Sequence, residues 1–260
     1  MQETRRRSTA IILSEEQQQE LHQCALQLAD RELPAGWEMV QSSAFARVAC
    51  NREQQIFFKQ FLPRSPAESV KALVRGSRAT RARENSEAML RAGIDAPVSL
   101  CWGKLPGGSE YLFSSAVPGD DLSHWLRVTL GERSAAQLSL RRQLLHALGT
   151  CIGRVHAAGF VHGDLRPGNI LADLRADRFH FTLIDNERTV QYSPPPGKLL
   201  LKNLMQLNML GLDELGKTDR MRFFCEWRQQ MRELSSVETK LLAVEAYRWA
   251  MRRLDAKASP

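Results

Sequence analysis

The segment that most constrains this chain is a loop of the form H-x-D-x-x-x-x-N followed by two short apolar strands. The loop begins at His162, carries Asp164 and Asn169 five residues apart, and contains proline and glycine. The strands that follow are joined by a turn, and the second ends at Asp185. Two carboxylates and one carboxamide are therefore expected at neighbouring loop and strand ends.

These side chains match the needs of phosphoryl transfer. A divalent metal bound to a triphosphate takes oxygen ligands, and a separate carboxylate must accept the proton of the attacking hydroxyl. Asn169 and Asp185 suit the metal, and Asp164 suits the hydroxyl. The alternative is that Asp164 and Asn169 only stabilise turns, as Asp and Asn often do. The coincidence of loop, hairpin and terminal Asp favours the functional interpretation.

The composition fits a folded protein with a sizeable core, in one large domain or two lobes. The chain has 260 residues, of which 43% are hydrophobic and 25% charged. Its net charge of +7 suits nucleic acid, an anionic membrane or a phosphorylated substrate without choosing among them, and a solvated basic surface is the alternative. Five scattered cysteines favour a reducing compartment. No apolar run resembles a signal peptide or spans a bilayer, so we expect a cytoplasmic protein.

Short alternating segments from Trp37 onward predict an antiparallel sheet. In the third strand Lys59 lies between Phe57 and Phe61 on one face, which is unusual unless that face meets a cleft. A lysine on an edge strand with its ammonium group in water is the alternative. The predicted strands cover residues 37–40, 46–49, 55–61, 96–103 and 111–113.

Helices are predicted around this sheet. Capping boxes at Ser14 and Ser235 begin the first and the last of them. A very basic helix is predicted over residues 69–91, where Glu84 or Glu87 could reach Lys59, although an ion pair with a neighbouring arginine competes for either. The remaining predicted helices cover residues 121–128, 137–158, 198–210 and 218–233.

The order of these parts resembles the protein kinase-like fold from about Trp37 onward. A narrower similarity, to the lipopolysaccharide core sugar kinases of Gram-negative bacteria (the Kdo and heptose kinases), is carried by FFKQFLPR at 57–64, HGDLRPGNIL at 162–171 and the segments 202–208 and 218–224. The resemblance implies an α+β, bilobal fold with an antiparallel-sheet N-lobe and a mainly helical C-lobe. It implies the transfer of phosphate from ATP to a sugar hydroxyl of the lipopolysaccharide core.

The sequence predicts a lobe boundary in the connection 114–119, which shows no periodicity, and the resemblance implies the role of each part. Residues 1–33 would form an N-terminal arm and accessory helix, residues 34–116 the nucleotide-binding N-lobe, and residues 117–260 the catalytic and acceptor-binding C-lobe.

By the same resemblance, Asp164 would accept the proton of the attacking hydroxyl and Arg166 would face the transferred phosphate. Asn169 and Asp185 would hold Mg²⁺ against the phosphates of ATP. Lys59 would contact the α- and β-phosphates.

Glu84 would pair with Lys59, with Glu87 as the alternative. Ser42 and Ser43 occupy the place of the glycine-rich phosphate loop, where their backbone amides could cradle a phosphate.

Several departures indicate a kinase without a phosphorylation switch. Asn186 and Glu187 replace the Phe-Gly that usually follows the metal-binding Asp, and Gly163 replaces an Arg that reads activation-loop phosphorylation. The segment after Asp185 is short for an activation segment. These features favour a small or lipid-linked acceptor over a protein.

Other functions stay open: a small-molecule kinase of the aminoglycoside or choline type, a serine/threonine protein kinase-like protein, or a pseudokinase binding module. The expected partner is a lipopolysaccharide core sugar or a related anionic glycolipid, and no nucleic acid. The basic helix and an Arg5–Arg7 arm could bring the enzyme to the inner face of the inner membrane, although a solvated helix face explains the helix equally well.

Overall fold

The computed structural model describes residues 13–63, 76–132 and 134–258. The chain divides into two compact units, Met1–Val117 and Pro118–Pro260. The predicted Arg5–Arg7 arm and the first part of the predicted basic helix, 69–75, lie outside the described residues. Within them, no helix has the length and apolar character needed to cross a membrane.

The first unit contains the predicted antiparallel sheet, with strands in the order β1-β2-β3-β5-β4. All five predicted strands are confirmed, with ends that shift by a few residues. In chain order they are β1 (Trp37–Val40), β2 (Ala46–Asn51), β3 (Ile56–Phe61), β4 (Ser99–Lys104) and β5 (Glu110–Ser115). In this register Lys59 of β3 lies opposite Val48 of β2 and Leu112 of β5. Lys59 therefore stands on an interior strand, and the edge-strand alternative is excluded.

Helix α1 (Glu15–Ala29) covers one face of this sheet. Its N-terminus is the predicted capping box, in which Ser14 and Gln17 each bond the other's backbone amide. The helix buries Ala25 and Leu28 against an aromatic core that includes Phe58 and Phe113, both fully buried. Burial of this much apolar surface supplies the main stabilisation of the unit.

Helix α2 (Arg78–Arg91) begins later than the sequence predicts. Gly76 has a left-handed φ of 73°, and the Ser77 side chain caps the helix by accepting a hydrogen bond from the Thr80 amide at 3.1 Å. The prediction of one continuous helix over 69–91 is therefore wrong. The positive φ of Gly76 and the serine cap after it fix the start of α2 at Arg78.

The second unit is mainly helical. A buried face of α3 packs on α5, and α4 packs on α6. The α3–α5 contact is close, because a Cβ at Gly149 would lie 2.3 Å from the carbonyl oxygen of Phe223. The helices are α3 (Ala135–Ala157), α4 (Gly197–Leu207), α5 (Lys217–Gln230) and α6 (Ser236–Ala258).

The helix predicted over residues 121–128 forms as an α-helical turn, Leu122–His124, followed by a π-helical turn, Trp125–Thr129. Asp121 caps it through Oδ1, which accepts hydrogen bonds from the Ser123 and His124 amides at 2.8 and 3.1 Å. The capping box predicted at Ser235 is confirmed, because the Ser235 amide donates to Glu238 Oε2 at 2.8 Å.

Two small sheets of the second unit frame the H-x-D loop. In one, short strands β7 (Phe160–Val161) and β10 (Val190–Gln191) pair antiparallel. In the other, β6 (Asp120–Asp121), β8 (Ile170–Arg175) and β9 (Arg178–Leu183) lie side by side, with β8 and β9 forming the predicted hairpin. The loop leaves β7 and enters β8, so both of its ends are fixed by strand pairing.

Candidate active site

The H-x-D loop is a compact turn held by its own backbone. The Arg166 amide donates to the Asp164 carbonyl at 2.8 Å, and the Asn169 amide donates to the Arg166 carbonyl at 2.9 Å. Pro167–Asn169 forms one turn of 3₁₀-helix, which suits proline because its fixed φ fits the first position of a helix. The loop therefore presents its side chains from a constrained backbone.

Asp164 lies beside Arg166 in this loop. Arg166 Nε donates to Asp164 Oδ1 at 2.8 Å; the side chain of Asp164 is 17% exposed and that of Arg166 is 68% exposed. No described residue donates a hydrogen bond to the other carboxylate oxygen, Oδ2. The carboxylate is thus largely sheltered from solvent, and one of its oxygens is available to a ligand.

Asn169 is tied to the same loop through its amide nitrogen. Its Nδ2 donates to the Asp164 carbonyl at 2.8 Å, which orients Oδ1 away from that carbonyl. Within the described ranges, Asn169 Oδ1 accepts no hydrogen bond. An amide oxygen held in this way suits a hard cation such as Mg²⁺.

Asp185 stands where β9 ends and a 3₁₀ turn, Asn186–Arg188, begins. Its backbone is left-handed, with φ 61° and ψ 47°, a conformation that costs free energy in a residue with a Cβ and that gathers at functional sites. The Ile184 amide donates to the Asn169 carbonyl at 3.0 Å. This bond and the β8–β9 pairing place Asp185 beside the end of the loop that carries Asn169.

His162 is a buried structural residue of the loop. Its Nε2 donates to the Ile184 carbonyl at 2.9 Å, while the buried Nδ1 has no hydrogen-bond partner among the described residues. Burial lowers the pKa of His162, so the ring is neutral near pH 7. Its function is to tie the loop to the segment that leads into Asp185.

Two side chains of α4 also contact the loop, and the sequence did not predict their roles. Asn203 Oδ1 accepts from the His162 amide at 3.0 Å, and Gln206 Oε1 accepts from the Leu165 amide at 3.1 Å. Both residues lie in the segment 202–208 that carries part of the family resemblance. That resemblance was the only available signal, because the loop and the helix are about 40 residues apart in sequence.

The first unit holds the residues expected at the nucleotide. Lys59 lies on β3 with its ammonium group 5.1 Å from the centre of the Phe61 ring. Glu84 of α2 pairs with Arg83, and Glu87 pairs with Arg83 at 3.0 Å and with Arg91 at 4.0 Å. These are the intrahelical ion pairs that competed with a pairing to Lys59, and the pairing itself stays a prediction.

The loop between β1 and β2 carries Ser42 and Ser43. Ser42 Oγ donates to the Ala46 carbonyl at 2.9 Å, and Ser43 Oγ accepts from the Phe45 amide at 3.4 Å. These side-chain bonds stiffen the loop, as expected where serines stand in place of glycines.

Arg78 is a second residue whose role the sequence did not predict. It is buried and donates to the carbonyls of Phe45 and Leu62 at 2.9 and 3.0 Å. It therefore anchors the end of the β1–β2 loop to the segment that leaves β3.

The structure thus brings Asp164, Arg166, Asn169 and Asp185 together in the second unit, and Lys59, Glu84, Ser42 and Ser43 lie in the first. No group of three or more histidine, cysteine or acidic side chains forms a possible metal site among the residues described.

The fold and the loop are those of a phosphotransferase of the protein kinase-like fold. A family model described as the lipopolysaccharide kinase (Kdo/WaaP) family matches residues 71–234. The chain belongs to that family. It is an ATP-dependent kinase that phosphorylates a sugar hydroxyl of the lipopolysaccharide core.

The solved structure of a WaaP protein agrees on the fold. The chain is similar to a structure titled "WaaP in complex with acyl carrier protein", with a TM-score of 0.61, 18% identity, and coverage of 84% of this chain and 88% of that one. It is also similar to a crystal structure of WbdD, with a TM-score of 0.49, 22% identity, and coverage of 82% of this chain and 45% of that one. Comparison with curated protein sequences gave no match.

Proposed function

We propose that the loop of the second unit is the phosphotransfer centre of this lipopolysaccharide kinase, with Asp164 as the residue that accepts the proton of the acceptor sugar hydroxyl. The observation that carries this proposal is the state of the Asp164 carboxylate. Arg166 holds one oxygen at 2.8 Å, and the other is free of described donors. A general base must be oriented and within reach of the hydroxyl, and this arrangement supplies both conditions.

Arg166 has a second role in this proposal. Its side chain is 68% exposed, so little free energy opposes its movement from Asp164 toward a phosphate. A guanidinium beside the transferred phosphoryl group stabilises the charge on its oxygens. Arg166 therefore neutralises charge during transfer, while Asp164 orients the attacking oxygen.

Asn169 and Asp185 are the proposed Mg²⁺ ligands. Asn169 offers an amide oxygen. Asp185 offers a carboxylate from the end of β9, where its own backbone is left-handed. The hydrogen bond from the Ile184 amide to the Asn169 carbonyl links the two positions. Bound Mg²⁺ would draw negative charge from the phosphates of ATP. The two protein ligands fix where that charge is neutralised relative to Asp164.

Lys59 is the proposed contact for the α- and β-phosphates, with Glu84 or Glu87 as its partner. Ser42 and Ser43 are proposed to cover the phosphates through backbone amides. The anchoring of this loop by Arg78 supports a fixed position for those amides, since a loop without glycine needs another source of order.

The acceptor is proposed to be a core sugar that is still attached to its lipid anchor, at the inner face of the inner membrane. The basic surface predicted for this contact is smaller than the sequence indicates. Arg78 is buried against backbone carbonyls, and Arg83 pairs with Glu87 and stacks 4.4 Å from the centre of the Trp102 ring. Any membrane contact must therefore rely on other basic residues, and vesicle binding at low and high salt tests it.

The phosphotransfer centre is tested with purified protein, ATP and lipopolysaccharide that lacks core phosphate. Asp164→Ala should lower kcat by about a thousandfold or more, as expected when the general base of a positioned reaction is lost. The same variant should retain ATP binding, measured by calorimetry, because Asp164 is not placed on the nucleotide. Equal turnover in the variant would refute the assignment.

A second binding function is supported by a cavity of about 270 Å³ in the second unit. Its wall is mostly apolar and includes Phe223, Phe224 and Val244, and its cationic residues are Lys217, Arg220 and Arg248. The similar WaaP structure was solved with acyl carrier protein. We propose that this cavity takes the acyl chain of such a carrier, with the exposed side chains of Lys217 and Arg248 facing its acidic surface.

Binding of acyl carrier protein with and without a long acyl chain tests this second function. Ala243→Phe would fill the cavity from α6 and should weaken binding of the acylated carrier about tenfold or more, because it displaces the chain. Ala256→Phe, on an exposed position of the same helix, is the matched control. Equal binding of both carrier forms would refute the proposal.

A further inference from the structure

The side-chain amide of Gln206 makes four hydrogen bonds, three of them to the H-x-D loop. Its Nε2 donates to the Gly163 carbonyl at 3.3 Å and to Asp164 Oδ1 at 3.4 Å. Its Oε1 accepts from the Leu165 amide at 3.1 Å and from Asn203 Nδ2 at 3.3 Å. The Leu165 amide can only donate, so the orientation of the Gln206 amide is fixed by its partners.

Asn203 holds the neighbouring part of the loop from one turn earlier on α4. Its Oδ1 accepts from the His162 amide at 3.0 Å and faces His156 Nε2 at 3.3 Å. His156 in turn accepts from the indole of Trp227 at 2.9 Å. Asn203, His156 and Trp227 are all fully buried, so the anchor of this chain of hydrogen bonds lies in the helical core.

The loop needs these partners because its residues lie between β7 and β8 and have no strand beside them. The backbone groups of His162, Gly163 and Leu165 are satisfied by α4 side chains instead. Buried backbone donors left without acceptors are costly in free energy. The helix therefore defines the path of the loop on both sides of Asp164.

The contact with the carboxylate itself points beyond loop stability. Arg166 and Gln206 share Asp164 Oδ1, one from the exposed side and one from α4. Two donors on one oxygen fix the rotation of the carboxylate about its Cβ–Cγ bond and leave Oδ2 to the substrate. When Arg166 turns toward a phosphate, Gln206 is the donor that stays.

We propose that Gln206 is a positioning residue for phosphoryl transfer. It holds the Asp164 carboxylate in the orientation in which Oδ2 can accept the proton of the acceptor hydroxyl. The inference rests on the proposed role of Asp164. It gives the segment 202–208 a part in phosphoryl transfer that the roles proposed for the loop residues do not require. A small misplacement of a catalytic group can lower a rate by about a hundredfold.

Two substitutions separate positioning from simple support of the loop. Gln206→Met removes all four hydrogen bonds at similar volume. Gln206→Glu keeps an acceptor for the Leu165 amide but places a carboxylate oxygen against Asp164 and the Gly163 carbonyl. Gln229→Met, at an exposed position of α5, is the matched control, and Asp164→Ala is measured in the same assay.

If Gln206 positions Asp164, both Gln206 variants lower kcat about 10- to 100-fold while KM for ATP stays within about threefold. Gln206→Glu is then no more active than Gln206→Met, although it keeps the acceptor for the Leu165 amide. The control keeps wild-type kcat.

A Gln206→Glu enzyme with wild-type kcat would overturn the inference, because the acceptor to Leu165 would then be sufficient. So would a Gln206→Met enzyme with wild-type kcat. If Asp164→Ala retains activity, the proposed phosphotransfer centre fails instead, and the two failures are distinguished in one experiment.

Discussion

Acid should destabilise this protein through His156. The ring is fully buried, its Nδ1 accepts from the Trp227 indole, and its Nε2 can donate to Asn203 Oδ1. Trp227 can only donate, so His156 fits the site in its neutral form with the proton on Nε2. Burial is the main reason that the pKa of His156 falls from 6.5 to about 4.

The direction in which pH changes the free energy of unfolding follows from proton binding. Between pH 6.5 and 4 the unfolded chain protonates His156 and the folded chain does not, so the free energy of unfolding falls as the pH falls. A pKa unit is worth about 1.4 kcal/mol, so this residue alone should remove about 2 kcal/mol of stability between pH 7 and pH 5.

Urea denaturation at pH 7 and pH 5, followed by tryptophan fluorescence, measures this loss. His156→Gln cannot titrate and keeps an amide donor for Asn203, so the variant should be less stable at pH 7 but should lose about 2 kcal/mol less on acidification. His162 is present in both proteins and cancels in the comparison. An equal loss of stability in wild type and variant would refute the assignment of a buried, neutral His156.

Two further predictions concern the loop. Gly163→Ala should destabilise the protein by more than about 1 kcal/mol and lower kcat, because φ at Gly163 is +75° and a Cβ would lie 2.5 Å from the Arg188 carbonyl oxygen. Gly168→Ala is the stability control, since a Cβ there meets nothing within 4 Å; equal melting temperatures for the two variants would contradict the explanation. Asn169→Ala should raise the Mg²⁺ concentration needed for half-maximal turnover about tenfold or more, read from a metal titration at saturating ATP. An unchanged titration curve would remove Asn169 from the metal site.

Much of the fold was predictable because its signals are local. The capping residues Ser14 and Ser235 bond backbone amides within one helical turn, and short runs rich in aromatic and β-branched residues mark strands such as β3. The H-x-D loop with its hairpin was predictable for the same reason, since Asn169 and Asp185 are linked by adjacent paired strands.

The parts that could not be predicted depend on contacts between distant residues. A basic residue at position 78 looks solvated in sequence, and only the fold shows that Arg78 is buried against two backbone carbonyls. Gln206 looks like an ordinary polar helix residue, and its partners lie about 40 residues earlier. The late start of α2 depends on Gly76, whose positive φ a helical pattern does not reveal.

The structure gives a physical reason for one difference between this sequence and protein kinases, the glycine at position 163. At this position many protein kinases have an arginine that reads phosphorylation, and the close approach of the Arg188 carbonyl leaves no room for a Cβ. The backbone therefore excludes such an arginine unless Arg188 moves. This geometry agrees with a kinase that lacks a phosphorylation switch.

We propose above all that this lipopolysaccharide kinase transfers phosphate through Asp164. Mass spectrometry of lipopolysaccharide tests it most directly, in cells whose only copy of the protein is either wild type or Asp164→Ala at matched abundance. We expect one core phosphate to be present with the wild type and absent with the variant. The same phosphate content in both strains would contradict the claim.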